Sequence, residues 1–231
     1  MKIIFLLVFS VMFAFANAVI GTVSQYKGNV KIKHEGSIKK SKVTQNIEIQ
    51  EGDLVVTSRK ATAQLHLKDG STVILDEKSS IHFKSAVDVE QKEGKIFYKI
   101  ASRDVKNSLK IKTDFAIIGI KGTTFIINAS KDASVSLKEG VIGVTSIKEK
   151  FDLYRQKVQA EFNDYVSKQK TEFQKYKDAQ NKYAVAEPTK SFDLKQNHRI
   201  SFFGKRVNED KWSEKDDQEF EHFEKLVKFM K

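Results

Sequence analysis

The sequence contains no cysteine and a single proline, Pro188. The lack of cysteine rules out disulfides, thiolate metal sites, a thiol nucleophile and a lipoprotein anchored through an N-terminal cysteine. Stability must therefore come from a packed core. The absence of proline before position 188 suits strands inside a sheet, where a missing N–H would break the ladder. Histidine is scarce. His34, His66, His82, His198 and His222 show no helical or finger-type ligand spacing and are expected to face solvent; His66 and His82, on the polar phase of their strands, could share an exposed face. Gly-x-Ser-x-Gly, phosphate-loop and dinucleotide patterns are missing as well. We therefore expect no enzyme, and assign no catalytic residue, no metal and no cofactor.

Long apolar runs are equally rare. One extends from Ile3 to Phe15, broken only by Ser10, preceded by Lys2 and closed by Ala16-Asn17-Ala18. A basic residue, a short apolar core and small residues at the end make a secretory signal peptide, residues 1–18. The run falls short of the roughly 20 apolar residues that span a bilayer. The expected location is the periplasm, with Val19 as the first mature residue and no transmembrane segment after cleavage. The formal charge is +11. In an exported chain this points away from nucleic acid and toward an anionic envelope surface or an acidic partner, unless the lysines only solvate the surface.

Short strands are abundant from Val19 to Ile147. Valine and isoleucine alternate with lysine in Val30-Lys31-Ile32-Lys33. In Ala61–Lys68, Ala63, Leu65 and Leu67 share one face and Thr62, Gln64, His66 and Lys68 the other. This period of two marks a half-buried strand. Asp69-Gly70 then separates it from Ser71–Leu75, which predicts a two-residue hairpin with positive φ at both central residues. Further strands are expected at Ile81–Phe83, Lys95–Ile100, Leu109–Thr113, Thr124–Asn128, Ser134–Leu137 and Val141–Thr145. Glycine, asparagine and aspartate punctuate them.

At Lys148 the period changes. Residues 151–161, 162–172 and 173–183 form an eleven-residue repeat, with Phe151, Phe162 and Phe173 in one slot and Tyr154, Tyr165 and Tyr176 three residues later. Eleven residues make almost three helical turns, so the pairs would stack into one stripe. This predicts a long amphipathic helix over 148–187, about 50 Å long if some 33 residues are helical. The six aromatic residues are candidate partner-binding positions. The stripe would pack on the chain's own β domain or C-terminal helix, self-associate as a coiled coil, or dock on another envelope protein. Beyond Pro188, Ser191–Leu194 and Arg199–Phe203 read as a returning hairpin. A final helix should start at Ser213 and present Phe220, Phe223, Val227 and Met230.

The strand region resembles the FecR domain over roughly residues 20–147. The resemblance rests on Gly28-Asn29-Val30, on Gly52-Asp53 followed by Thr57, and on Asp69-Gly70-Ser71. It continues with Thr113 leading into Ile120-Lys121-Gly122-Thr123-Thr124-Phe125, where Lys121 stands in place of the usual arginine. Gly52, Asp53, Asp69, Gly70, Gly122 and Thr123 read as turn-forming residues with a structural role. The resemblance implies a FecR-like all-β sandwich, roll or solenoid-like domain and a protein-binding role in signalling or scaffolding. Founding members of the family relay an outer-membrane transporter signal to a sigma factor. With no cytoplasmic segment expected ahead of the leader, the resemblance is not expected to bring sigma-factor control to this chain. What it implies is the fold and a periplasmic interaction role, and iron is not carried over. The expectation is thus a mainly β chain: signal peptide 1–18, FecR-like domain 19–147, long inserted helix 148–187, and a hairpin with a C-terminal helix over 188–231. The alternatives are a structural protein oligomerising through 148–183, or a protein that binds lipopolysaccharide or carbohydrate.

Overall fold

A computed structural model describes residues 18–102, 108–155 and 186–229. The leader up to Asn17 lies outside them. The chain begins with β1 (Val19–Lys27), β2 (Val30–Lys33), β3 (Ser41–Lys42), β4 (Ile47–Gln50) and β5 (Leu54–Thr57). It continues through β6 (Thr62–Leu67), β7 (Thr72–Leu75), β8 (Ser80–Phe83), β9 (Asp88–Glu93) and β10 (Lys95–Lys99). Next come β11 (Leu109–Lys112), β12 (Ala116–Ile120), β13 (Thr124–Asn128), β14 (Ser134–Glu139) and β15 (Val141–Ser146). The last are β16 (Phe151–Arg155), β17 (Glu187–Thr189), β18 (Ser191–Lys195), β19 (His198–Phe203), β20 (Arg206–Lys211) and the helix α1 (Glu214–Phe229).

The strands form two mixed sheets around one continuous apolar core. The first has eleven strands in the order β17-β16-β20-β19-β14-β13-β10-β7-β6-β1-β4, and the second nine, β18-β15-β12-β11-β9-β8-β5-β2-β3. Spatial order nearly follows chain order in both, because the chain lays one or two strands in one layer and then crosses to the other. Among the described residues the sheets stay open at their ends and do not close into a solenoid. Most pairs are antiparallel; β9 with β11 and β16 with β20 are parallel.

Alternation decides which residues enter the core. Ala63, Leu65 and Leu67 of β6 point inward with Val73 and Leu75 of β7. Tyr98 stacks on Phe125 at 4.9 Å and donates its hydroxyl to Gln91 Oε1 at 2.9 Å, which satisfies a group that burial would otherwise penalise. The β6–β7 turn is longer than the sequence predicts. The Gly70 amide bonds the Leu67 carbonyl and the Leu67 amide bonds Ser71, so three residues close the loop. Of the Asp69-Gly70 pair only Gly70 takes positive φ, +85°, as in a type I turn ending in a glycine bulge.

The outer face of the larger sheet carries a cross-strand row: Gln64, Ile74, Phe97, Ile126, Ser136 and Arg199. Helix α1 lies on it, burying Phe220 and Phe223 against Ile74, Phe97 and Ile126. Phe223 stacks on Phe97 at 5.6 Å. Ser213 stands at the N-cap: its carbonyl accepts from the Asp216 amide at 2.9 Å, and Asp216 Oδ2 accepts from the Ser213 amide at 3.0 Å and hydroxyl at 2.5 Å. Ser136 and Arg199 from the same row reach the other Asp216 oxygen at 3.2 and 3.1 Å.

Two expectations are corrected here. The helix predicted from position 148 does not start there: Phe151–Arg155 is a strand, parallel to β20 and antiparallel to β17. Phe151 and Leu153 alternate with Asp152 and Tyr154, so this segment has a buried period of two that the eleven-residue repeat masks. The rest of the repeat, with Phe162, Tyr165, Phe173 and Tyr176, lies outside the described residues. Among the described residues α1 is the only helix. The expected hairpin at 191–203 is also replaced. β18 joins β15 in the smaller sheet while β19 joins β14 and β20 in the larger, so the turn at Gln196-Asn197 is a crossing between layers.

Candidate functional site

Turns from both sheets converge at one end of the molecule around an open cavity of about 420 Å³. Phe115 comes from the β11–β12 turn, Lys131 and Ala133 from β13–β14, Lys148 from the β15–β16 connection, Phe151 from β16, and Phe202 and Lys205 from β19 and the turn after it. Phe115 and Phe202 meet at 4.4 Å, Phe202 and Phe151 at 5.8 Å, and Phe151 and Phe192 at 6.0 Å, so the aromatic wall continues into the core. The cavity falls within the roughly 300–1,000 Å³ typical of ligand and side-chain pockets.

The wall is held by local chemistry. Thr113 Oγ1 accepts from the amides of Phe115 and Ala116 at 3.3 and 3.0 Å, fixing the turn that presents Phe115. The Phe202 amide bonds the Ala133 carbonyl at 2.9 Å and the Asp152 amide bonds Lys205 at 2.8 Å, which ties the three turns together. Lys131, Lys148 and Lys205 are exposed around the opening. Lys205 pairs with Asp152 at 3.2 Å, and Lys190 donates to the Lys148 carbonyl at 2.6 Å. Asp114 and Glu149 add negative charge, so the opening carries a small positive excess. Phe203 is 62% exposed on the opposite face of β19, since the step from Phe202 to Phe203 turns one ring inward and the next outward.

Of the six predicted partner-binding residues, the structure describes two. Phe151 is buried in the core and lines the cavity wall. Tyr154 lies under the Arg206 guanidinium, 4.5 Å from its ring centre. These two serve the fold, not a helical stripe. The motif residues sit in connections. Asp53, 1% exposed, accepts from the Gln50 amide at 2.8 Å and meets His34 Nδ1 at 3.0 Å. The Gly52 amide bonds the Phe83 carbonyl at 2.7 Å. Asp69 accepts from the Ser71 amide and hydroxyl, and Ser71 Oγ in turn accepts from the Ala101 amide. Gly122 and Thr123 link β12 to β13. His66 and His82 do not share a face, because β6 and β8 belong to different sheets. Among the described residues no three acidic or histidine side chains gather into a metal-sized group. None of the described helices is long and apolar enough to cross a membrane.

Residues 53–143 match the FecR protein family model. The FecR-matched segment supplies Asp114, Phe115, Lys131 and Ala133 to the cavity, and the strands after it supply the rest. Two crystal structures of a candidate anti-sigma factor from Parabacteroides distasonis are similar in fold. They share 16% identity with this chain at TM-scores of 0.46 and 0.47, covering 69% of it. The chain spans 60% of their length. No curated protein matches the sequence significantly.

Sequence reasoning missed Phe115, Phe202 and Phe203 as a group. The adjacent Phe202-Phe203 in a strand was a usable signal, since alternation leaves one of any such pair outside. The convergence of Phe115 and Phe151 with them is set by topology and has no local signature.

Proposed function

We propose that this chain is an exported, non-enzymatic binding protein of the FecR type, acting in envelope signalling or scaffolding by engaging a partner protein at the cavity. The observation that carries the reading is the cavity itself: an aromatic wall of Phe115, Phe151 and Phe202 whose opening carries Lys131, Lys148 and Lys205 alongside Asp114 and Glu149. Aromatic anchors in desolvated pockets, surrounded by a polar rim, are the usual arrangement of energetically important protein contacts. The charge favours a partner segment that carries an apolar side chain next to acidic ones. The FecR match and the apolar leader support a place in the periplasm.

The test is photocrosslinking in living cells. A photoreactive p-benzoylphenylalanine replacing Lys131 should form an adduct with a distinct envelope protein, and Ala133→Trp, which fills the cavity, should abolish the adduct while the chain stays folded. An adduct that persists in the filled variant, or one formed only with a second copy of the chain, would overturn the reading.

A further inference from the structure

The hairpin formed by β2 and β3 has a composition unlike the rest of the surface. Between residues 27 and 42 the chain carries Lys27, Lys31, Lys33, Lys39, Lys40 and Lys42 against a single acid, Glu35. Some lysines elsewhere are drawn into ion pairs, among them Lys84 with Glu90, Lys95 with Glu219, Lys138 with Glu224 and Lys205 with Asp152. Among the described residues none of these six is so held. At the tip of the hairpin stands Ile38, 95% exposed and the most exposed large apolar residue described. A single exposed apolar side chain is ordinary by itself. What sets Ile38 apart is its place at a loop tip inside a collar of lysines, the pairing of apolar tip and positive charge that suits an anionic membrane surface.

The tip is built to project. The Ser37 amide bonds the His34 carbonyl at 3.1 Å and the Ser37 hydroxyl donates to the Lys39 carbonyl at 2.9 Å, which shapes the loop on either side of Ile38. Its base is fixed by strand pairing of Lys31 with Lys42 and Ile32 with Ser41, and by His34 against the buried Asp53 carboxylate. Tyr26, itself 40% exposed, lines a shallow hollow with Lys31 and Lys42 beside the hairpin. Tyrosine favours the boundary between water and lipid, where its ring is apolar and its hydroxyl wet.

We propose that this hairpin is a membrane-surface anchor, with the lysines meeting anionic phospholipid headgroups while Ile38 enters the acyl boundary. The combination selects a bilayer over a soluble polyanion. Lysines alone would serve either, but an isolated apolar tip gains nothing from a polyanion and gains free energy only where hydrocarbon lies behind the charge. The inference is independent of the cavity, which involves other turns.

The experiment uses the chain from Val19 onward, which retains every described strand and helix and removes the apolar leader. It should co-sediment with vesicles of phosphatidylglycerol and phosphatidylcholine but not with phosphatidylcholine alone. Lys39→Glu with Lys40→Glu should weaken binding by about tenfold or more, given the strength of a lysine near an anionic surface. Ile38→Asp should weaken it by about fivefold at unchanged fold. Because the sequence has no cysteine, Ile38→Cys offers a unique site for an environment-sensitive nitrobenzoxadiazole label. Its emission should rise and shift to the blue with anionic vesicles and stay unchanged with polyphosphate. Vesicle binding unaffected by Ile38→Asp, or a label that stays in water while the chain is bound, would overturn the proposal. Equal competition by polyphosphate without an emission change would assign the lysines to a soluble polyanion instead.

Discussion

At the scale of single residues, the connections hold the information that the strands lack. Gly70 and Gly94 show two different demands on glycine. Both have positive φ, +85° and +82°, but a Cβ at Gly70 would meet open space, whereas one at Gly94 would overlap Ser79 and the Lys78 carbonyl. Gly70→Ala should therefore cost only the left-handed backbone penalty, about 1–2 kcal/mol. Gly94→Ala should exceed it by a further 1–3 kcal/mol or so, since backbone must move. Urea unfolding of the two variants compares them directly; equal losses would show that the Gly94 contact relaxes freely. The Asp69-Gly70 hairpin was legible in the sequence as a turn, and only its length was not. Ser71 explains the difference: its hydroxyl accepts from Ala101 while its carbonyl receives Leu67, and neither partner is visible from the local pattern.

At the scale of elements, α1 shows how apolar contacts and charges divide their work. Burying Phe220 and Phe223 is worth about 2–3 kcal/mol each, while exposed ion pairs such as Lys138–Glu224 contribute about 0–1. The rings hold the helix and the charges fix its position along the row. Phe223→Ala should lower stability by about 3–5 kcal/mol, measured by denaturant unfolding. Asp216 gives this element a pH dependence. Burial alone would raise its carboxyl, but hydrogen bonds from Ser213 and Arg199 and the Arg199 charge outweigh that, so it titrates below its ordinary range. A lowered folded value means that its stabilisation is complete above the unfolded carboxyl value, about 4, and is lost as pH falls through the folded value. Asp216→Asn should thus be less stable than the parent at pH 7, by about 1–2 kcal/mol, and the gap should close with acidification below about pH 4. A gap independent of pH would show that the carboxylate charge plays no part. This helix was readable in advance, from Ser213 and the spacing of Phe220 and Phe223. Its docking face was not read from the sequence, although a signal was present. β7 and β13 contain the apolar runs Val73-Ile74-Leu75 and Phe125-Ile126-Ile127, the mark of strands covered on both sides.

At the scale of the whole molecule, the family match and the folding unit do not coincide. The match ends at residue 143, but Phe151, Leu153, Leu194, Ile200 and Val207 belong to the same core, as do Val23 and Ile32 ahead of residue 53. A fragment limited to 53–143 should lack a cooperative urea transition and a near-ultraviolet dichroism signal, whereas the chain from Val19 should show a single transition. A fragment that unfolds cooperatively would mean that the outer strands only decorate a smaller domain. The failed expectation at 148–155 belongs to this scale as well. Phe151 and Tyr154 fit a helical repeat and a strand equally well, and pairing with β17 and β20 decided between them.

What the sequence determined by itself is what depends on near neighbours: strand faces through alternation, turns through glycine and aspartate, and the cap and apolar stripe of the last helix. What only the tertiary structure decided is what depends on distant partners. It sent β18 and β19 to different layers, brought Phe115, Phe151 and Phe202 to one cavity wall, and left Ile38 in water among lysines that form no ion pair with the described residues. The physical reason is range. Backbone geometry and side-chain period act over a few residues, whereas sheet order and cavities arise from pairings between segments that no local preference can specify.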